Sequence, residues 1–420
     1  MSAAAGRGAD VATELFAWLA ARRKGTVYQP DPEPGADDPN GCLPKLKLLL
    51  ECGYDFSGRS LLSLGASSAL YEAALAHQAR RGACGRERPG VSAAHLVDTD
   101  AGALEHARER FEGSGAADVR TIRALAHEFT PERRYDAGFF LSLFHHYDRL
   151  GPRLRALGFG VLEALGRHCR TLFFETGQTG DRVPGAEHWP ALLEMASWPS
   201  PQAWIETRIP ELTGHDAFRR LGTNPATGRH LYAFWRARRP AAGLAGVRFA
   251  PLREIDALDD GPPDADGIAL RVDPSSPALP VVLPGGGRVA LDAVLARAAG
   301  RALWVDAAPA APGGWEPAAL GRLAATLRAA PLRGAIVRVA GLDAVDALPR
   351  DAGVCWAAEG ECEAGVRGVL ATAALSGVPL VSLPPRWNTA AVHAAARGQG
   401  VALAFADGGA ADATITLVQP

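Results

Sequence analysis

The chain lacks an excess of charge of either sign. Its 420 residues carry 44 Lys and Arg against 46 Asp and Glu, a formal net charge of −2. Such a balance exerts no global pull on nucleic acid or an anionic membrane, so neither is expected as a partner. Long apolar runs are missing too. None approaches the roughly 18 residues that a membrane span needs, and residues 1–7 hold no apolar core of signal-peptide length. A cytoplasmic protein is expected. Cysteine is sparse, and Cys42, Cys52, Cys84, Cys169, Cys355 and Cys362 include no CxxC pair. Cys355 and Cys362 have no second pair to complete a metal site, so unpaired thiols and no metal are expected.

What is present is apolar residues, 48% of the chain, enough for two cores at this length. The most informative stretch is 60–100. Leu61 to Leu64 reads as a buried strand, residues 65–69 as a tight turn and 70–80 as a helix. A second apolar strand ends in acid, Val97-Asp98-Thr99-Asp100. Open parallel sheets bind ligands at the carboxyl ends of their strands. A small first turn admits a nucleoside-like ligand to the backbone, and a carboxylate ending the second strand can accept both ribose hydroxyls. More strands are expected at 119–122, 136–144, 170–174 and 229–235, with helix over 154–169 and mainly helix over 189–218. Strands alternating with helices indicate βαβ units and a mainly parallel sheet.

Upstream, residues 1–53 read as a helical, lid-like segment, with an amphipathic helix at 10–24 and a second at 43–52. Composition shifts near 239. The spacing predicts a first α/β domain over 54–239, a linker-like segment rich in Pro, Asp and Gly over 240–280, and a second α/β domain over 281–420. In the latter, strands are expected at 303–306, 335–339, 353–357 and 379–383, and helices at 317–330, 365–376 and 389–397.

The 60–100 unit resembles the class I S-adenosylmethionine-dependent methyltransferases, and the likeness runs over roughly 43–236. It implies a Rossmann-like methyltransferase sheet, mainly parallel with its last strand antiparallel, followed here by a second α/β domain. It also implies S-adenosylmethionine as cofactor and methyl transfer, at oxygen or nitrogen, to a small-molecule or glycan-linked acceptor. The family's first turn is usually glycine-rich. This chain keeps Gly65 and follows it with the small residues Ala66, Ser67, Ser68 and Ala69. The likeness assigns the cofactor to Gly65, Ala66, Ser67, Asp98, Thr99, Leu141 and Ser142. Asp98 aligns with the ribose carboxylate, or else Asp98 and Asp100 both serve only to cap the next helix. No aspartate stands in register after the third strand to meet the adenine amine, which leaves backbone near Ala124 or Leu125.

The segment from Tyr135 to Tyr147 is the most specific match. Its Ser142-Leu143-Phe144-His145-His146 lies at the end of the fourth strand, beside the methyl donor. Either histidine can accept a proton from the acceptor, or it anchors the following helix. Glu175 and Gln178 are expected to project into the crevice after the fifth strand, with an exposed strand-end carboxylate as the alternative for Glu175. The likeness makes His145, His146 and Glu175 the catalytic candidates, and Tyr28, Tyr147, Gln178 and Trp189 the acceptor-binding ones, with Tyr28 closing over the cofactor. The pattern is similar to methyltransferase domains of bacterial surface-polysaccharide and natural-product pathways. Residues 353–403, with Ala374-Leu375-Ser376-Gly377-Val378-Pro379-Leu380-Val381, resemble the nucleotide-sugar-binding lobe of two-lobed glycosyltransferases. That likeness implies a degenerate lobe for recognition or assembly, or an active transferase to which the first domain is accessory.

Overall fold

The structure, a computed structural model, describes residues 38, 41–82, 86–178, 194–238, 244, 247–252, 267–273, 278–283, 286–307, 315–358, 361–405 and 415–418. The expected helix at 10–24, Tyr28 and Trp189 lie outside them. The chain divides into two compact units, Met1–Arg236 and Ala237–Pro420.

In the first unit the elements run α1 (Cys42–Glu51), β1 (Ser60–Leu64), α2 (Leu70–Arg81), β2 (Ala93–Asp98), α3 (Ala101–Phe111), β3 (Val119–Arg123) and β4 (Tyr135–Leu141). They continue with α4 (Phe144–Asp148), α5 (Pro152–His168), β5 (Cys169–Glu175), α6 (Pro201–Thr213), β6 (Ala217–Thr223) and β7 (His230–Trp235). The strand order is β3-β2-β1-β4-β5-β7-β6. β1 to β5 are parallel, and β7 runs antiparallel to both of its neighbours. This is the Rossmann-like methyltransferase sheet, mainly parallel with its last strand in sequence reversed.

Continuous apolar runs form the central strands because both faces are covered. β1 is buried at every position. In β4 and β5, consecutive phenylalanines serve opposite faces. Phe139 and Phe173 stack at 5.1 Å beside Tyr54 and Phe56, while Phe140 and Phe174 pack in the core with Phe234 and Trp204.

Two expectations are corrected here. Helix over 189–218 holds, among the described residues, as α6 with a short 3-10 turn before it, and residues 217–223 form β6 instead. Gly214 closes α6 in a left-handed conformation, φ +67°, which a glycine adopts without a Cβ clash. β6 is a half-exposed edge strand with Arg219 and Arg220 in it, and charges on an edge discourage pairing with another chain. Its apolar pattern is correspondingly thin. The expectation of unpaired thiols is also revised. Cys42, Cys52, Cys169 and Cys355 are free, but Cys362 is disulfide-bonded, a pairing that spacing along the chain does not reveal.

The second unit comprises β8 (Arg248–Pro251), β9 (Gly267–Val272), β10 (Val281–Val282), β11 (Arg288–Val289), α7 (Leu291–Arg297), β12 (Ala302–Asp306), α8 (Pro317–Ala329) and β13 (Gly334–Val339). After these come α9 (Leu342–Ala347), β14 (Gly353–Ala357), α10 (Glu363–Leu375), β15 (Leu380–Leu383), α11 (Ala390–Gln399), β16 (Ala402–Phe405) and β17 (Ile415–Val418). The sheet runs β11-β10-β9-β12-β13-β14-β15-β16-β17-β8, and β8 also pairs with β9. β8, β9 and β12 to β17 therefore close a ring, parallel throughout except for β17.

Alternate residues of these strands face two cores. Phe249, Ala269, Trp304, Ile336, Cys355 and Ala404 fill the ring. Ile268, Leu303, Val337, Val354 and Leu403 pack outward with the helices. Segment 240–280 is thus not simply a linker. It supplies β8 and β9, whose few residues are outnumbered by the surrounding Pro, Asp and Gly. β8 and β17 join the edges of this second α/β sheet. Among the described residues no helix is long and apolar enough to cross a membrane.

Candidate active site

The turn after β1 is held in an unusual conformation. Gly65, Ser67 and Ala69 all have positive φ, at +74°, +49° and +50°. Only glycine adopts this readily; for other residues it costs about 1–2 kcal/mol each. Backbone contacts hold it. The amides of Gly65 and Ala66 donate to the Val97 carbonyl at 2.9 and 3.0 Å, and the Ser67 amide donates to Asp98 Oδ2 at 2.7 Å. From α3 the buried Arg110 donates to the Ser68 carbonyl at 2.7 Å. Sustained strain of this kind concentrates at functional sites.

Asp98 sits at the end of β2. Besides Ser67, its Oδ1 accepts the amide of Asp100 at 3.0 Å. Asp100 in turn caps α3 by accepting the amides of Gly102 and Ala103. The two acids thus divide the roles that the sequence left open: Asp100 is the N-cap, and Asp98 latches the β1 turn. An ionised carboxylate offers about four lone-pair sites, so Asp98 retains capacity for two further donors.

Above this turn lies a cavity of about 260 Å³ lined by Gly65, Val97, Asp98, Thr99, Ala124, Leu125, Ala126, His127, Leu143, His146, Tyr147, Leu150 and Leu154. Its walls are largely apolar, with Asp98 and Thr99 at one edge, a combination that suits a nucleoside. Leu143 lies over Gly65; a Cβ built there would come 2.8 Å from Leu143 Cδ2. His127 Nδ1 meets the Tyr147 hydroxyl at 3.2 Å. Leu150, just past the end of α4, also lines it and is 62% exposed.

Five sequence-predicted residues meet there: Gly65, Asp98, Thr99, His146 and Tyr147. The other described ones do not line it. Ala66 and Ser67 lie in the turn itself, Leu141 ends β4 opposite Glu175, and His145 is buried. The His145 Nδ1 accepts the Gly177 amide at 3.1 Å, and its backbone amide donates to Thr176 Oγ1 at 3.0 Å. Burial, with the neighbouring His146 and Arg229 charges, pushes its pKa down to about 2. Its contacts tie the start of α4 to the loop after β5. His146 is pushed down to about 4 by burial and Arg149, and Arg149 Nη2 lies 2.8 Å from its Nδ1. An arginine only donates, so Nδ1 accepts and the neutral ring carries its proton on Nε2.

Glu175 is neither in the crevice nor exposed. Its carboxylate is buried between Lys45 and Arg229, paired with the Lys45 Nζ and with Arg229 Nη1 at 3.2 Å. Ser142, left-handed at φ +57°, donates its hydroxyl to Glu175 Oε1 at 2.9 Å and accepts from Lys45 and Arg229. Burial alone would raise the Glu175 carboxyl; the two cations outweigh it and hold it below the usual range. Sequence reasoning missed Lys45, although it is one of three lysines in the chain, and it missed the role of Arg229. Gln178 is 7% exposed, and its Nε2 has no hydrogen-bond partner among the described residues.

No protein-family model matches the chain, and no curated protein matches it significantly. Among solved structures it is similar to the bifunctional kinase-methyltransferase WbdD, at 17% identity, 53% of this chain, 46% of that one and a TM-score of 0.34. EvdMO1 matches at 18% identity over 54% of this chain and 47% of the other, TM-score 0.32. The N-methyltransferase NodS from Bradyrhizobium japonicum WM9 matches at 11% identity over 47% and 97%, TM-score 0.31. The chain spans less than half the length of the WbdD and EvdMO1 chains. Likenesses this distant carry no argument about activity, which rests on the site's own residues.

Proposed function

We propose that the first unit is a cytoplasmic S-adenosylmethionine-dependent methyltransferase acting at oxygen or nitrogen of a small-molecule or glycan-linked acceptor. One observation carries the reading: a strained left-handed turn, latched to the carboxylate that ends β2, at the floor of a cavity with an apolar wall. When bound, the donor supplies an electrophilic sulfonium methyl. Asp98 offers its remaining lone pairs to ribose hydroxyls, with Thr99 beside it. Val97, Ala124, Leu125 and Ala126 form the apolar wall for the base, and Gly65 keeps the backbone open to the donor.

The acceptor side falls to His146, Tyr147 and Gln178. His146 presents a ring N–H and is neutral near pH 7, so it orients an acceptor by donating a hydrogen bond. Gln178 does not line the cavity, but its amide N–H has no hydrogen-bond partner among the described residues and is left to meet the acceptor. Orientation of two reactants can by itself supply several kcal/mol of a barrier, of about 7–11 available. His145, Glu175 and Ser142 act indirectly in this reading, as the scaffold that fixes the ends of β4 and β5.

Calorimetry with S-adenosylmethionine tests it. Wild type should bind, and Asp98→Ala should lose about 1.5–3 kcal/mol, the worth of charge-assisted hydrogen bonds. Asp98→Asn, which keeps one acceptor oxygen, should fall between. Absence of binding by wild type, or equal binding by Asp98→Ala, would refute the proposal.

A further inference from the structure

The second unit carries a polar constellation that the methyltransferase reading does not use. Along β9, β12 and β13, the residues that fill the ring alternate: Ala269, Trp304 and Ile336 point inward. Two residues further toward the carboxyl ends, the same face is continued by Arg271, Asp306 and Arg338, since side chains two apart on a strand share a face. The ladder puts these three in register, Asp306 opposite Arg271 on one side and Arg338 on the other. Cys355, inside the ring on β14, stands in register with Arg338.

Among the described residues of this face, two guanidinium groups stand beside one carboxylate. Asp306 is 3% exposed and accepts from Arg338 Nη1 at 3.0 Å. The Arg338 Nε is buried with no hydrogen-bond partner among the described residues, and so is the indole N–H of Trp304 one step deeper in the ring. Arg271 forms no hydrogen bond or ion pair among the described residues. Two guanidinium groups, about 10 Å apart by two strand spacings, thus face one carboxylate. On β14, β15 and β16 the inward positions at this end are small, Ala357, Ser382 and Ala404. Rings of parallel strands place their reactive sites at the carboxyl ends. A buried donor without an acceptor is costly, and guanidinium groups favour forked contacts to carboxylate or phosphate.

We propose that the carboxyl-end mouth of the β8–β17 ring is a binding site for an oxyanion, a phosphate monoester or a carboxylate, clamped between Arg271 and Arg338. Asp306 orients Arg338. The site is independent of the cavity above Gly65.

The test uses the full chain, titrated calorimetrically with inorganic phosphate and, in a second arm, with citrate, each at constant ionic strength held with chloride. Saturable binding is expected in at least one arm, and the stronger arm identifies the oxyanion class. Arg271→Gln, which removes no hydrogen bond or ion pair among the described residues, should weaken that binding at least tenfold without changing the thermal midpoint of the free protein. Asp306→Asn, which removes the competing negative charge, should retain or tighten it. Absence of saturable binding in both arms would overturn the proposal, as would equal binding by Arg271→Gln. S-adenosylmethionine binding should be unchanged in Arg271→Gln, so that failure here is distinguishable from failure of the methyltransferase reading.

Discussion

Replacing Glu175 by Gln tests the physical logic of the first unit most directly. The Glu175 carboxylate pairs with both Lys45 and Arg229, and the side chains of the two cations are only 5% and 7% exposed. The isosteric amide keeps the Ser142 hydroxyl bond but takes the compensating negative charge from two buried cations. Removing one partner of a buried pair costs about 3–5 kcal/mol, because the other charge stays desolvated. In a unit of this size each kcal/mol moves the midpoint by about 2–4 °C, so a fall of roughly 6–20 °C is expected by scanning calorimetry, with a matching loss in urea titration. A second substitution, Lys45→Met, should restore part of that loss, since one stranded cation is gone. The two effects are coupled rather than additive. A loss below about 1 kcal/mol in Glu175→Gln, or no recovery in the double variant, would refute the clamp. The pH dependence has a fixed sign. The folded carboxyl lies below its ordinary 4.5, so its contribution is fully present above that value and is lost as pH falls through the folded pKa.

Other consequences follow from the same geometry. His145, His146 and His215 are held neutral by burial, with pKa values pushed down to about 2, 4 and 4. Their stabilisation is complete above about 6.5, where the unfolded chain too is neutral, and declines on acidification by up to about 1.4 kcal/mol per pH unit for each; urea midpoints at pH 7, 6 and 5 should fall progressively, and a flat profile would contradict the burial argument. Ala69→Gly, at φ +50°, should raise stability by about 1 kcal/mol through relief of left-handed strain, read as a shifted urea midpoint with an unchanged slope. Gly65→Ala should weaken S-adenosylmethionine binding at least tenfold in calorimetry, because the added Cβ crowds Leu143 and strains a left-handed residue.

Much of the first unit was legible in the sequence because its central strands carry their own signal. β1, β2, β4 and β5 are short apolar runs, and each ends near the residue where the pattern stops. β6 was not legible, since an edge strand bearing Arg219 and Arg220 has little apolar alternation. In the second unit, β8 and β9 were masked by the Pro and Asp around them, and the closing of the ring is a pairing between distant segments that no local pattern records. For the site, Asp98 and its turn could be read from a strand ending in acid. The fate of Glu175 could not. Its partner Lys45 lies on α1, and Ser142, which bridges them, is 97 residues from that lysine. A carboxylate's neighbours across such distances decide whether it faces substrate or is locked away. The histidine pair was found by its motif, but which ring nitrogen each commits to the protein depended on Gly177 for His145 and Arg149 for His146.

Ring closure has a consequence for biosynthesis. β8 meets both β9 and β17, so the seam of the second unit joins a strand made early to the last strand described. Growing from the ribosome, this unit cannot complete its circle until Ile415–Val418 has emerged, whereas the sheet of the first unit already has every strand once Trp235 is made. Domains form as units in order of synthesis, so the first should be capable of holding its ligand while the second is still an unzipped arc.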